Sequence, residues 1–157
     1  MPPDTQLLSD TLEMHRIIQG ASCMRRHSVI SLDKLAEMLT ALCTGGTVAE
    51  RNAKGHDIVS PEYGRIEVKS RLLGTDGAFP RVTLTPNKLA GSDSFMAVRW
   101  NANYRIHAAV MLNAGAVRPL YDARVQTSGK CAHIAWGAWK NAPGAIDFTE
   151  RFAALIA

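Results

Sequence analysis

The stretch at residues 50–71, ERNAKGHDIVSPEYGRIEVKSR, constrains the fold of this chain more than any other part of the sequence. Residues 56–59 and 65–69 each combine β-branched and charged side chains, and Pro61 and Gly64 lie between them. Short runs of this kind on either side of a loop with Pro and Gly are typical of a β-hairpin. The sequence therefore predicts two adjacent antiparallel strands joined by a tight turn.

The register of this hairpin decides which side chains share a face. A five-residue loop pairs Val59 with Arg65, and the same register puts Asp57 opposite Glu67. A slip of one residue would turn every side chain of one strand to the other face. Gly64 favours the first register, because glycine readily adopts the positive φ that closes such a loop. We therefore expect Asp57 and Glu67 on one face.

The face that carries Asp57 and Glu67 is charged. Side chains alternate along a strand, so Glu67 and Lys69 point away from Ile66 and Val68 and join Asp57. Two carboxylates that lie close together repel each other unless a cation lies between them. Mg²⁺ suits such a site, because it usually takes one or two protein carboxylates and completes its shell with water and phosphate. The hairpin therefore predicts a magnesium site, with Mn²⁺ as a substitute ion.

Asp57 followed by Glu67-Val68-Lys69, on consecutive strands after a helix, resembles the PD-(D/E)xK nuclease superfamily, which includes restriction endonucleases and archaeal Holliday-junction resolvases. The resemblance spans residues 31–112. The chain departs from the pattern in having His56, and not proline, before Asp57. An Asp followed by ExK is a short and common pattern, so the predicted strands around it carry much of the argument. The alternative is an ordinary half-buried hairpin with a solvated charged face.

The resemblance implies a DNA endonuclease that hydrolyses phosphodiester bonds with a divalent metal. It implies that Asp57, Glu67 and the Val68 carbonyl bind the metal, and that Lys69 orients the attacking water. The side chains near this site that are able to contact DNA phosphates are Arg51, Arg65, Arg71 and Lys88. Each of these four is equally compatible with an ordinary surface cation.

The resemblance also implies a further carboxylate, from the helix or the strand that precedes Asp57. Glu50, in the predicted strand 47–51, comes within about two residues of the position that faces Asp57. Glu37 lies on the predicted helix 32–43, nearly opposite the stripe formed by its leucines, so we expect it to face solvent. Glu50 is therefore the predicted auxiliary acid, and Glu37 is the alternative.

The order of the predicted elements indicates an α/β (α+β) fold with a central mixed β-sheet flanked by helices. Helix 32–43 precedes three strands, and a short helix and the apolar strand 94–100 follow. This helix–three strands–helix–strand order is the one that the resemblance implies for a restriction-endonuclease-like core. With helix 4–19 before the core and a strand and helix at 132–156 after it, residues 1–157 form a single predicted domain.

Composition limits the class of protein further. The 18 Lys and Arg exceed the 14 Asp and Glu, which gives a formal net charge of +4 and permits nucleic-acid binding without identifying it. The three cysteines are odd in number and form no CxxC pair, so neither a zinc site nor a disulfide framework is predicted. The first residues lack the basic start and apolar core of a signal peptide, and no apolar run reaches the roughly 20 residues that span a bilayer. We therefore predict a cytoplasmic protein without a membrane partner.

Two other classes of protein are compatible with the sequence. One is a catalytically inactive DNA-binding or interaction module on the same fold, and the other is an unrelated α/β domain with an amphipathic hairpin. Among nucleases, these residues do not separate restriction, junction resolution and repair. One such site cuts one strand, so double-strand cutting would require a homodimer. Metal-dependent cleavage of DNA is the observation that distinguishes a nuclease from the other classes.

Overall fold

The computed structural model describes residues 4–21, 32–49, 56–74 and 79–156. Its helices are α1 (Thr5–Gly20), α2 (Asp33–Thr44), α3 (Pro86–Gly91), α4 (Ala114–Arg124), α5 (Trp136–Lys140) and α6 (Thr149–Leu155). Its strands are β1 (Thr47–Val48), β2 (Ile58–Ser60), β3 (Gly64–Leu72), β4 (Val82–Leu84), β5 (Ser94–Trp100), β6 (Ile106–Asn113), β7 (Ala132–Ile134) and β8 (Ile146–Asp147). None of these helices combines the length and the apolar character that crossing a membrane requires.

The central sheet has six strands in the order β1-β2-β3-β5-β6-β8, and β4 pairs with β7 in a separate two-stranded sheet. Strands β3 and β5 run parallel, whereas the other neighbouring pairs of the central sheet are antiparallel. The predicted α/β class, with a mixed central sheet flanked by helices, is therefore confirmed. Along the chain, α2 is followed by β1 to β3 and then by α3 and β5, with β4 between β3 and α3.

One face of the central sheet packs against α1, α2 and α6. Ile58, Ile66 and Val68 project from this face, because they alternate with the charged residues of the hairpin. Leu35 and Leu39 of α2 are fully buried in the same core. The predicted leucine stripe therefore packs on the sheet.

The opposite face packs against the small β4–β7 sheet, α4 and α5. Phe95 and Ala97 of β5 share this second core with Val110 of β6 and with Trp136 and Trp139 of α5. The indole Nε1 of Trp139 donates to the Val110 carbonyl at 3.0 Å. Because β5 lies between the two cores, all of its residues are buried, as predicted for a strand covered on both faces.

The β2–β3 hairpin has the predicted register, in which Val59 pairs with Arg65. Gly64 has a φ of 70°, the positive value that the predicted turn requires. Asp93 is a second reason for glycine at position 64, because a Cβ on Gly64 would lie 2.5 Å from Asp93 Oδ2. That carboxylate also accepts the N–H of Arg65 at 2.8 Å, which joins the beginning of β3 to the residue before β5.

Some predicted boundaries are wrong. Asp57 lies directly before β2 and not within it, and the turn is shorter than predicted because Ser60 pairs with Gly64. The strand predicted to begin near residue 132 is short, since β7 ends at Ile134 and Trp136 begins the additional helix α5. No pattern predicts the structure of residues 113–130, which contain α4. Its start is capped by Asn113, whose side chain accepts the Ala116 N–H, and Pro119 within the helix obscures the helical pattern.

Candidate active site

Asp57 ends the pairing between β2 and β3. Its backbone N–H donates to the Ile66 carbonyl at 2.8 Å, and its carboxylate Oδ2 accepts the N–H of Val68 at 2.9 Å. The carboxylate thus takes the place of the carbonyl that a longer β2 would offer to β3. At this point a cleft lies along the edge of β3, and both Asp57 and Glu67 line it.

The cleft has a volume of about 280 Å³ and lies between α2, β3, β5 and the segment around β4. Among the described residues, the carboxylates that line it are Asp33, Glu37, Asp57 and Glu67. The cations that line it are Lys69, Arg71, Arg81 and Arg99. Strand β3 orders these charges, since Glu67, Lys69 and Arg71 follow one another on one face over about 13 Å.

Glu67 is almost completely buried, with 3% of its side chain exposed. Its Oε1 lies 3.4 Å from Lys69 Nζ, and its Oε2 lies 3.2 Å from Lys88 Nζ. Lys88 is at ion-pair distance, yet Oε2 has no partner with hydrogen-bond geometry within the described residues. Burial raises the pKa of Glu67 above its usual value, and the charge of Asp57 raises it further, against the lowering effect of the two lysines. The protein therefore stabilises the ionised form of Glu67 incompletely.

Glu37, which was predicted to face solvent, lines the cleft instead. Only 17% of its side chain is exposed, and its Oε2 lies 3.0 Å from Lys34 Nζ. Burial raises the pKa of Glu37, the hydrogen bond from Lys34 opposes this, and the charge of Asp57 adds to the increase. The prediction is wrong because α2 packs on α1 and α6 as well as on the sheet. Its buried surface is therefore wider than the leucine stripe and includes Ala36 and Met38.

The auxiliary acid that the sequence favours, Glu50, lies outside the described residues, as does the predicted phosphate contact Arg51. The comparison between Glu50 and Glu37 therefore remains a prediction. Among the described residues, Glu37 is the glutamate other than Glu67 that lines the cleft with Asp57.

The other predicted phosphate contacts occupy three different environments. Arg71 lines the cleft. Arg65 lies at the far end of β3, where its Nε is 3.2 Å from Asp93 Oδ2, so its charge is already paired. Lys88, in α3, belongs to the surroundings of Glu67 and is not an isolated surface lysine.

Arg99 is a cleft residue that the sequence reasoning missed. It is fully buried, its Nη1 donates to the Val98 carbonyl at 2.9 Å, and its Nη2 donates to the Pro80 carbonyl at 3.1 Å. Its guanidinium lies 4.8 Å from the centroid of the Trp136 ring. Burial lowers the pKa of Arg99 to about 10, and the nearby charge of Arg71 contributes. The sequence does mark Arg99 as unusual, because it is the one charged residue in an otherwise uncharged strand.

The donor set of the cleft suits a hard divalent cation. Within the described residues, no three His, Cys, Asp or Glu side chains lie close enough together to hold a metal ion by themselves. Mg²⁺ does not need such a group, because it usually takes one or two carboxylates and keeps several waters. Asp57 and Glu67 supply two carboxylates. The buried Oε2 of Glu67 has no hydrogen bond among the described residues, so a cation bound there would satisfy it.

A larger depression, of about 660 Å³, lies between the start of α1 and the end of α2. Its acidic side chains are Asp4 and Glu62, and both are exposed. Cys43 also lines it, and burial raises the pKa of this thiol to about 11. Within the described part of the chain, no cationic side chain lines this depression and its thiol stays protonated at neutral pH, so the smaller charged cleft is the candidate site.

The sequence matches no known family model, and a search of curated proteins finds no match either. The geometry and electrostatics of the cleft are therefore the basis for assigning a function.

Proposed function

We propose that the chain is a metal-dependent DNA endonuclease of the PD-(D/E)xK type, which hydrolyses phosphodiester bonds. The observation that carries this proposal is the convergence of Asp57, Glu67 and Lys69 on one cleft at the edge of β3. A second carboxylate beside the buried Glu67 raises the cost of ionising it, which a purely structural ion pair does not require. Carboxylates whose pKa is raised in this way, and which lie in a cleft, are typical of functional sites.

Asp57 and Glu67 would hold the metal, together with the carbonyl of Val68. When bound, Mg²⁺ supplies a Lewis acid that lowers the pKa of water and stabilises negative charge on the phosphate. The hydrogen bond from the Val68 N–H fixes the orientation of the Asp57 carboxylate, so this ligand is positioned before the substrate arrives.

Lys69 would hold the attacking water and offset the charge that develops on the phosphate. Its ammonium lies 3.4 Å from Glu67 Oε1 and is about one-third exposed, so it can reach both the acid and the solvent side of the cleft. Glu37 is the auxiliary acid that we propose among the described residues, because it shares the cleft and feels the charge of Asp57. Glu50 remains the alternative.

The order of the elements also supports the proposal. Helix α2, strands β1 to β3, helix α3 and strand β5 occur in the order expected of a restriction-endonuclease-like core, with β4 inserted between β3 and α3. An inactive DNA-binding module is the alternative on the same fold, because a fold does not determine a function. DNA as the substrate is favoured by the net charge of +4 and by the arginines that line the cleft beside the carboxylates.

The test is nicking of supercoiled plasmid with Mg²⁺, Mn²⁺, Ca²⁺ or EDTA, by the wild type and by Asp57→Asn, Glu67→Gln and Lys69→Met. We expect cleavage with Mg²⁺ and Mn²⁺ and little with Ca²⁺, whose looser shell positions water less well. Loss of either carboxylate should lower the rate by about 10³-fold or more, since a Lewis acid contributes several kcal/mol. Loss of Lys69 should lower the rate by about 10²–10³-fold and leave metal binding largely intact.

Glu62→Gln is the matched control, because Glu62 is an exposed carboxylate in the turn of the same hairpin. It should cleave like the wild type, and circular dichroism should show that every variant is folded. Equal cleavage by the wild type and Asp57→Asn would point to a contaminating nuclease and remove the assignment. Metal-independent DNA binding without any cleavage would favour the inactive module.

A further inference from the structure

The buried charge of Arg99 has no acidic partner within the described part of the chain. The guanidinium donates to two backbone carbonyls, and its Nε is buried without a hydrogen bond. Removing a charge from water is costly unless it is paired, and carbonyl oxygens do not neutralise it. Since its pKa is about 10, Arg99 carries its positive charge at neutral pH.

A second arginine lies directly beside Arg99. Arg71 of β3 pairs in register with Arg99 of the parallel strand β5, so both side chains project from the same face. Like charges on directly opposite residues of neighbouring strands are destabilising. Among the described residues, neither arginine forms an ion pair with a carboxylate.

A third arginine comes from the segment before β4. Arg81 lines the same cleft, and the residue before it, Pro80, accepts the hydrogen bond from Arg99 Nη2 at 3.1 Å. Trp136 covers the guanidinium of Arg99, and Phe79 stacks on Trp136 with ring centroids 5.8 Å apart. Trp136 thus holds the guanidinium of Arg99 on one side, and the hydrogen bond from this guanidinium to Pro80 positions the backbone next to Arg81.

We propose that Arg71, Arg81 and Arg99 form a second anion subsite in the cleft, which binds a phosphate group of the nucleic-acid strand next to the one that is hydrolysed. The exposed side chains of Arg71 and Arg81 contact the phosphate, because guanidinium donors match its oxygens bidentately. Arg99 is a positioning residue that supplies buried positive charge behind them. The phosphate in turn offsets the repulsion between Arg71 and Arg99.

The identity of the substrate in this inference rests on the proposed function, but binding of phosphate does not. Two sources have the required chemistry: an internal phosphodiester and a terminal phosphomonoester. Arg71 follows Lys69 on the same face of β3, farther from Glu67, so the phosphate bound by the subsite is distinct from the scissile one.

The first experiment measures binding of inorganic phosphate by calorimetry, at constant ionic strength and in EDTA. We expect millimolar binding by the wild type, weakened about tenfold in Arg71→Gln and in Arg81→Gln, because a charge-assisted hydrogen bond to phosphate contributes about that much. Arg99→Lys tests whether charge alone is sufficient, and it should weaken binding less than either glutamine variant. Arg16→Gln is the matched control, because Arg16 is exposed on α1, which does not line the cleft. No binding by the wild type, or equal binding by all the variants, would overturn the subsite.

The second experiment compares cleavage of duplexes with 5′-phosphate ends, duplexes with 5′-hydroxyl ends and closed circular DNA. A loss of kcat/KM in Arg71→Gln and Arg81→Gln on phosphorylated ends alone supports the subsite and identifies a terminal phosphate. A loss on all three substrates supports it and identifies an internal phosphate. Rates equal to those of Arg16→Gln on every substrate refute it.

The two experiments also separate this inference from the proposed function. Phosphate binding that depends on Arg71 and Arg81, in a protein that never cleaves DNA, would retain the subsite and reject the nuclease. Cleavage that requires Asp57 and Glu67 but is indifferent to both arginines would retain the nuclease and reject the subsite.

Discussion

Replacing Glu67 by glutamine should make the metal-free protein more stable while it removes activity. The substitution keeps the shape of a side chain that is 3% exposed and removes a charge that burial and Asp57 both disfavour. A carboxylate that only stabilised the fold would behave in the opposite way. Glu67→Gln therefore separates a functional acid from a structural one.

The size of the effect follows from the balance around Glu67. Its two partners, Lys69 and Lys88, are 35% and 32% exposed, so each ion pair contributes about 0–1 kcal/mol after solvent screening. Burying a carboxylate costs several kcal/mol, and leaving two partly hydrated ammonium groups unpaired costs little. We expect Glu67→Gln to raise the free energy of unfolding by about 1 kcal/mol. For a chain of this size that is about 2–4 °C in Tm.

The gain in stability should depend on pH in a defined direction. The pKa of Glu67 is raised in the folded state from its usual value of 4.5. The folded state therefore binds more protons than the unfolded state as the pH rises through this window, and the stability of the wild type falls. Below the usual value Glu67 is protonated in both states, so wild type and Glu67→Gln should have the same Tm. The difference in Tm between the two proteins should grow as the pH rises through the raised pKa and then remain constant.

The assay is thermal unfolding followed by circular dichroism from pH 4 to 8, in EDTA and in Mg²⁺, with Glu62→Gln as the control. In EDTA only Glu67→Gln should show the pH-dependent gain. Mg²⁺ at tenfold its Kd should stabilise the wild type by about 1.4 kcal/mol and Glu67→Gln by much less. A lower Tm for Glu67→Gln at pH 7.5 in EDTA, or a gain that does not change with pH, would refute this reasoning.

Three further predictions concern the rest of the cleft and the second core. Glu37→Gln should lower the rate of plasmid nicking by about 10–100-fold if Glu37 is the auxiliary acid, as for other supporting groups of a metal site. Lys88→Met removes a cation that favours ionised Glu67, so the rising limb of the pH–rate profile should move to higher pH. Trp139→Ala should cost about 3–5 kcal/mol in urea unfolding, because it leaves a cavity in the second core and removes the indole hydrogen bond to the Val110 carbonyl.

Each of these has a contrary result. An unchanged nicking rate in Glu37→Gln would leave Glu50 as the remaining candidate for the auxiliary acid. A pH–rate profile that does not move in Lys88→Met would show that the ion pair with Glu67 is absent in solution. A loss below about 1 kcal/mol in Trp139→Ala would show that the second core repacks around the missing ring.

The hairpin was predictable because its signals are local. Gly64 specifies the turn, and Ile66 and Val68 specify which face is buried, so the register and the position of Glu67 follow from neighbouring residues. The same holds for α3, where Thr85 accepts the Lys88 N–H as a helix cap should. Structure that depends on contacts between residues three or four positions apart can therefore be predicted without knowledge of the rest of the fold.

The orientation of Glu37 was not predictable in this way. A leucine stripe identifies the side of a helix that packs on one neighbour, but α2 has the sheet, α1 and α6 around it. The buried arc of a helix with several neighbours depends on packing between elements that are distant in sequence. Arg99 illustrates the same limit, since its environment combines Pro80 and Trp136, which no periodicity of β5 could bring together.

The parallel pairing of β3 and β5 has a consequence for how this protein can change. Parallel neighbours begin at the same end of a sheet, so the chain must return along its length between them, and here the return path supplies Arg81 to the cleft and Lys88 to Glu67. The alignment of the two strands is secured elsewhere, by the paired hydrogen bonds between Arg65 and Asp93 at their beginnings. The contacts that align the two strands are therefore separate from the residues that the return path adds to the cleft. Insertions or charge changes in this return path should therefore change the lining of the cleft, while the strands that carry the carboxylates keep their alignment.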